Sequence, residues 1–503
     1  MDLPRAVLVI AGKLLAPIHD GELLCLPGFD AVARLLECAS GFQIPGIPFV
    51  GSTHEELRRL ARRELADLAG TGDAARILAA GHQPELFHPG VWLKNFALRR
   101  LAARHLCGSV HIVVDNDVPK SAGVELPCWS PDSRPDDVHA QLIAFDAPPE
   151  PDVPYEQWFC SRPETRAAFT DRIRQATAAW PFRPFAVERP DMFADRSGRL
   201  NADWLNHARR TAESVLMGST NPEIAVSRLS ETAAFRRFVE TLFRNAGEFR
   251  NCYNAALQEY RATHRIRSRH HPATELAADG EWVEAPFWCW SDRDPKRRRV
   301  FVRPDARGLA VRWGESLNRW PDPTLKIRPR ALTLTLFVRT ILADLFIHGI
   351  GGGIYDRLTD EIARRFFGAA PPAYLVLTGT LRLPLPLFGG SGPALAAARR
   401  RVRDLLWNPQ RVWPDDPRSV ARNSLIHGPT STRAERKWRS HALRINRDAW
   451  AETVADALAP AREQLSAVER AIHADRVLSS REYSWTIHPH ERLAAFFAKT
   501  QLP

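Results

Sequence analysis

The sequence predicts an α/β protein. A doubly wound, mostly parallel sheet is split by a long helical and β-meander insertion and followed by a helical, coiled-coil-like C-terminal region. Three observations predict it. Between residues 76 and 117 an apolar strand, a glycine-bounded loop, a helix and a second apolar strand with an acidic tip follow one another, the order of a βαβ unit. The same alternation resumes at Ile327. Between the two lie helical patterns and then a run of short strands punctuated by turn residues.

In chain order, residues 1–75 form an N-terminal segment. In it, Thr53-His-Glu-Glu56 reads as a capping box, and Leu57, Leu60, Ala61, Leu65 and Leu68 recur at helical spacing, which predicts a helix over 53–69. Residues 76–146 hold the first half of the core: a strand from Arg76 to Ala80, a loop from Gly81 to Gly90, a helix from Val91 to about His105, and a strand from Ser109 to Val114. Residues 147–270 read as a mostly helical insertion, with helical patterns near 164–180 and 202–262, and 271–320 as a β-meander. The meander strands are Trp282 to Trp290, Arg299 to Arg303 and Leu309 to Trp313. In the second core segment, 321–391, an apolar helix over about 331–347 runs into His348-Gly-Ile-Gly-Gly-Gly353. A helix near 354–367 and a buried-type strand, Tyr374 to Thr378, complete it. In residues 392–503 helices dominate. Val454, Leu458, Ala461, Leu465, Val468 and Ile472 repeat every three or four residues, a seam for packing on the chain's own helices or for a homodimer.

With 503 residues, the chain is long enough for two or three domains. Lys and Arg outnumber Asp and Glu by 69 to 58, which favours anionic partners: phosphates, carboxylates or RNA. The seven cysteines, Cys25, Cys38, Cys107, Cys128, Cys160, Cys252 and Cys289, form no C-x-x-C pair and fit reduced thiols in a cytoplasmic protein. Met1 to Pro17 contains Asp2 and Arg5 and no long apolar run, so a secretory leader is not expected. The most apolar stretch, Leu332 to Ile347, is interrupted by Arg339 and Asp344 and is too short to span a bilayer.

Three clusters are candidates for chemistry. The loop Gly81 to Gly90 follows a strand and opens a helix, the place where doubly wound sheets bind anions. Gly81 and Gly90 permit close backbone approach, Gln83, Lys94 and Asn95 supply polar groups, and His82 and His88 are candidate acid–base catalysts. The two histidines also suit a polar structural loop or a metal, although no third ligand stands at a diagnostic spacing. Asp115, Asn116 and Asp117 end the second strand at the same edge, where acids bind Mg²⁺, a ribose hydroxyl or a substrate amine. His348, Gly349, Gly351, Gly352 and Gly353, with Tyr355 and Asp356 behind them, make a second glycine cluster, expected to let a phosphate approach the main chain. His270-His271, the basic run Lys296-Arg-Arg-Arg299 and the segment Arg481 to His490 are read as structural. No G-x-S-x-G or H-E-x-x-H motif supports a serine hydrolase or a zincin.

Gly81-His82-Gln83-Pro84-Glu85-Leu86-Phe87, closed by Pro89-Gly90, resembles the Gly-Gln-Gln-x-Gly-Leu-Phe loop of the bacillithiol-biosynthesis cysteine-adding enzymes. Asp115-Asn116-Asp117 is similar to that family's acidic strand end, and Arg328-Pro329-Arg330-Ala331-Leu332 running to Gly349 and Gly353 looks like its later Arg-Pro stretch and glycine loop. The resemblance implies a Rossmann-like core, a nucleotide-sized pocket (ATP or ADP, with Mg²⁺) and a dimer through the C-terminal helices. It also implies a ligase that joins cysteine or a similar amino acid to an amine of a small anionic or sugar-derived substrate. In that reading His82 or His88 is the acid–base, Lys94 clamps an anion, and Asp115 and Asp117 orient an amine or metal. The alternatives are an RNA-binding protein on a synthetase-like fold, which the net charge, the basic run Lys296-Arg-Arg-Arg299 and 15 tryptophans permit, and an inactive dimeric scaffold.

Overall fold

A computed structural model of the chain describes residues 14–45, 49–72, 74–194, 199–265, 273–306 and 308–500. His270 and His271 lie outside the described residues. Along the chain the strands are β1 (Leu23–Leu26), β2 (Ile77–His82) and β3 (Gly108–Val113), then the hairpin β4 (Gly123–Pro127) and β5 (Ala140–Ala144), and β6 (Glu223–Ala225). The meander comprises β7 (Ala278–Asp279), β8 (Trp282–Trp290), β9 (Arg298–Asp305), β10 (Gly308–Trp313), β11 (Ser316–Trp320) and β12 (Lys326–Pro329). The last two strands are β13 (Leu345–His348) and β14 (Tyr374–Gly379).

The protein is a mixed α/β molecule whose largest sheet runs β1-β14-β13-β2-β3-β6. The five strands from β14 to β6 are parallel, and β1 closes the edge antiparallel to β14. Counting only the parallel strands by sequence, the spatial order is 3-2-1-4-5, and it reverses between β2 and β13. Side chains alternate across the sheet, as strand geometry requires. Ile77, Ala79, Val110, Ile112, Phe346 and Val376 enter one core layer. Leu78, Ala80, Leu345, Ile347, Leu375 and Leu377 enter the other.

Helices cover both layers. The helix Pro89–Arg104, after β2, buries Trp92, Phe96, Leu98 and Leu101 on one face of the sheet. The helix Ile350–Phe367, after β13, buries Leu358, Ile362, Ala363 and Phe366 on the other. Chains leaving β2 and β13 therefore go to opposite faces of the sheet, the arrangement at whose carboxyl edge open α/β sheets bind ligands. The capping box is formed: Thr53 accepts from Glu56 N, Glu56 accepts from Thr53 N, and the helix runs His54–Ala69. Buried Asp344 ties that helix to the sheet, pairing with Arg58 and Arg62 at 2.8 Å each and accepting from Ile77 N.

Three expectations need correction. The apolar run over 331–347 is not one helix: it is the helix Ala331–Phe337, a π-helical turn Val338–Leu342 and then β13. A short, wholly buried strand has the same apolar signature as a buried helix, so periodicity cannot separate them. The triple glycine is not a loop between helices but the first turn of Ile350–Phe367, and none of its glycines has positive φ. The stretch 147–270, read as an insertion, contributes β6 to the main sheet. The Val454–Ile472 seam lies on the helix Ala451–Leu478, which packs against Gly392–Trp407 of the same chain. All seven cysteines are free. Among the described residues no helix is long and apolar enough to cross a membrane.

Candidate active site

At the carboxyl edge of β2 a cavity of about 360 Å³ opens between the loop 82–88, the start of β4 and the C-terminal segment 482–484. This is within the size range of small-molecule sites. His82, Glu85, His88, Lys120, Tyr155 and Glu482 bring ionisable or hydrogen-bonding groups to it, and Leu86, Phe87, Val124 and Phe145 supply apolar wall.

His82 ends β2, with its ring edge-on to Phe87 at 4.7 Å between centroids and its Nδ1 3.1 Å from the Gln83 carbonyl. Burial, reinforced by the nearby Lys94 charge, holds its pKa well below the ordinary histidine value, so it is neutral. His88 is the N-cap of Pro89–Arg104. Its Nδ1 accepts from Gly90 N at 3.1 Å, and its Nε2 lies 3.4 Å from Glu482 Oε2. Burial and the charge of Arg481 push its pKa down to about 3. Two neutral imidazoles thus face one cavity. Glu85 accepts a hydrogen bond from the Tyr155 hydroxyl at 3.1 Å, and burial raises its pKa.

Lys94 is almost wholly buried and donates to the Gly81 carbonyl at 2.9 Å. It has no carboxylate in salt-bridge range among the described residues, and burial lowers its pKa to about 8. It forms no part of the cavity wall; the cation there is Lys120. Asp117 is not part of the cavity lining either: it accepts from Gln83 Nε2 and from Arg297 Nη1, each at 2.9 Å.

The other sequence candidates are placed elsewhere. Asp115 accepts from the backbone N–H and the hydroxyl of Ser227, fastening β6 to the strand end rather than facing a ligand. Asn116 donates to the Pro329 carbonyl. Asn95, expected to reach the loop, turns to the opposite side of its helix and donates to buried Glu213, which also takes bonds from Trp92 and Arg209. Gly90 is a close-approach residue: a Cβ there would stand 2.1 Å from the Gly379 carbonyl oxygen. Gly81 is less constrained, with Ile112 O at 3.0 Å from such a Cβ.

In the second cluster His348 Nε2 lies 2.8 Å from Asp356 Oδ2, and Arg339 pairs with both Asp356 and Asp360. Burial opposes ionisation of Asp356, but Arg339 and His348 outweigh it and hold its pKa low. These groups are committed to one another beneath the helix start. A Cβ on Gly352 would meet His348, and one on Gly353 would meet Val376 at 2.3 Å, so both serve close packing. Gly349 and Gly351 face open space, and the N-terminus at Gly349 has no side-chain cap. Tyr355 is half-buried one turn further on.

Sequence reasoning missed Lys120, Tyr155 and Glu482. Glu482 had a signal: the segment Arg481 to His490 is unusually aromatic and polar, and it folds back so that Trp485 N donates to Phe87 O and Trp485 packs on Trp92. Lys120 follows the acidic strand end by three residues; Tyr155 had none. Among the described residues no group of three His, Cys, Asp or Glu is arranged to hold a metal ion. No family model matches the chain, and no curated protein matches its sequence.

Proposed function

We propose that the chain is a ligase- or transferase-like enzyme of the bacillithiol cysteine-adding type on a Rossmann-like, doubly wound core. It joins the carboxyl of cysteine or a similar amino acid to the amine of a small anionic or sugar-derived substrate. The observation that carries this reading is the convergence of two neutral imidazoles, three carboxyl groups and one lysine on a single cavity at the carboxyl edge of β2.

Each group has a task there. Lys120 holds the substrate's anionic group. Glu482 and Glu125, both on the cavity lining, attract and orient the amine. An attacking amine must lose a proton as its new C–N bond forms and the C–O bond to the leaving oxygen of the activated carboxyl breaks, and neutral His82 accepts that proton. His88, bonded to the helix start, keeps the loop in place. Holding two reactants together contributes roughly 7–11 kcal/mol in favourable cases, so no covalent intermediate on the protein is required.

The uncapped N-terminus of Ile350–Phe367, with open space over Gly349 and Gly351, fits a phosphate. These residues would hold a nucleotide, whose chemistry when bound is activation of the amino acid's carboxyl.

The test is a thermal-shift screen against cysteine, glucosaminyl malate, sugar phosphates and adenine nucleotides, with wild type, His82→Gln and Lys120→Ala. A true ligand at ~100 times its Kd adds about 2.7 kcal/mol. The expected result is a shift with an amine-bearing anion that disappears in Lys120→Ala. No shift with any compound, or shifts identical in all three proteins, would reject the reading.

A further inference from the structure

The charge excess of this chain is not spread evenly. Residues 391–450 contain 13 Lys and Arg against 5 Asp and Glu, a net +8 of the whole chain's +11. The basic run that stands out in the sequence is, by contrast, neutralised in the fold. Lys296 pairs with Glu150, Arg297 with Asp117, Arg298 with Asp294 and Arg299 with Glu284.

The helix Arg433–Asp448 is the outlier among the C-terminal helices: it has no buried residue. Its inner side, Arg439, Ala442, Leu443 and Asn446, is half-buried against the helix Pro417–His427. Its outer side exposes Lys437, Trp438, His441, Arg444 and Ile445, with Trp438 64% and Ile445 56% accessible. Lys437 and Arg444 have no acidic partner among the described residues. Folding gains nothing from an exposed tryptophan between unpaired cations, so the face is built for something outside the chain.

We propose that this face binds single-stranded nucleic acid, with Lys437 and Arg444 on phosphates and Trp438 stacked on a base. Cations tracking a backbone beside an aromatic platform are the chemistry of sequence-tolerant strand binding. A lipid surface is the poorer fit: the outer side offers only Trp438 and Ile445 as large apolar groups, beside the stripe of Lys437 and Arg444, too little apolar area to enter the acyl region. The inference goes beyond the proposed reaction and does not depend on it.

The experiment measures binding of the full chain to labelled rU20 and dT20 across a salt series, with phosphatidylglycerol vesicles in parallel. The variants are Lys437→Glu/Arg444→Glu, Trp438→Ala and, as a control in the paired run, Arg298→Ala. Affinity should fall steeply with salt. The double reversal should weaken it at least ~10-fold and lower the log–log salt slope by about 1.4, two contacts at ~0.7 each. Trp438→Ala should weaken binding with the slope unchanged, and Arg298→Ala should bind as wild type. Tighter binding to rU20 than to dT20, or equal binding to both, supports the proposal and identifies the strand chemistry. Absence of binding at 50 mM salt, equal affinities for all variants, or capture by vesicles but not by oligonucleotides would overturn it.

Discussion

Lys94 carries an ammonium into a place that water does not reach and no carboxylate compensates. Its pKa in the folded chain, about 8, lies below the ordinary 10.5. Below pH 8 both folded and unfolded chains hold the proton, and the folded state bears the full cost of the buried charge. Between pH 8 and 10.5 the folded chain has released the proton while the unfolded chain retains it, so stability rises with pH. Lys94→Met should therefore be more stable than wild type at pH 7 by about 2 kcal/mol, allowing for the lost bond to Gly81. In urea melts that advantage should shrink through this window and vanish above it. Equal or lower stability of the variant at pH 7 would show that the lysine is not a burden on the fold. A residue that destabilises its own fold while lowering the pKa of His82 is better explained by chemistry at the site than by packing.

At the scale of elements, those with local punctuation were legible. The helix His54–Ala69 was readable from Thr53, Glu56 and the leucine spacing because cap and stripe are decided within a few turns. Thr53→Ala should lower stability by about 1 kcal/mol, read as a shift of the urea midpoint with an unchanged slope. A change under ~0.3 kcal/mol would mean that the helix is held wholly by tertiary contacts such as Arg62 with Asp344. The meander strands β8, β9 and β10 were legible too, because aromatic and β-branched runs alternate with Asp/Pro/Gly turns, whereas β12, expected in the second core segment from Ile327, pairs with β8 instead. β13 was not. Its four residues are apolar on both sides because the sheet is covered on both faces. β6 is three residues long and has no alternation to show.

At the scale of the molecule, the C-terminal segment completes the core it follows by some 400 residues. Phe497 stacks on Phe96 at 3.8 Å between centroids and meets Trp92 edge-on. Phe497→Ala should cost about 3–5 kcal/mol, measured by thermal or urea unfolding, and should loosen the cavity wall at Glu482 and Ser484. If the variant unfolds like wild type, the His490–Ala498 helix is an appendage rather than a part of the core. The cavity itself depends on the same long-range closure, since His82, Lys120 and Glu482 meet from three distant parts of the chain.

The sequence by itself determined the Thr53 cap, β2 and β3, the turn-punctuated strands β8 to β10 and the first glycine-bounded strand-to-helix junction. Each is settled by neighbours a few residues apart through periodicity, capping and turn chemistry. Only the tertiary structure decided that Asp115, Asn95 and Asp356 are tied into internal bonds, that Lys120 and Glu482 face His82, and that Lys296 to Arg299 are neutralised while Lys437 and Arg444 stand free. Most of this burial and charge compensation comes from partners tens to hundreds of residues away, and such pairings leave no mark in the local sequence.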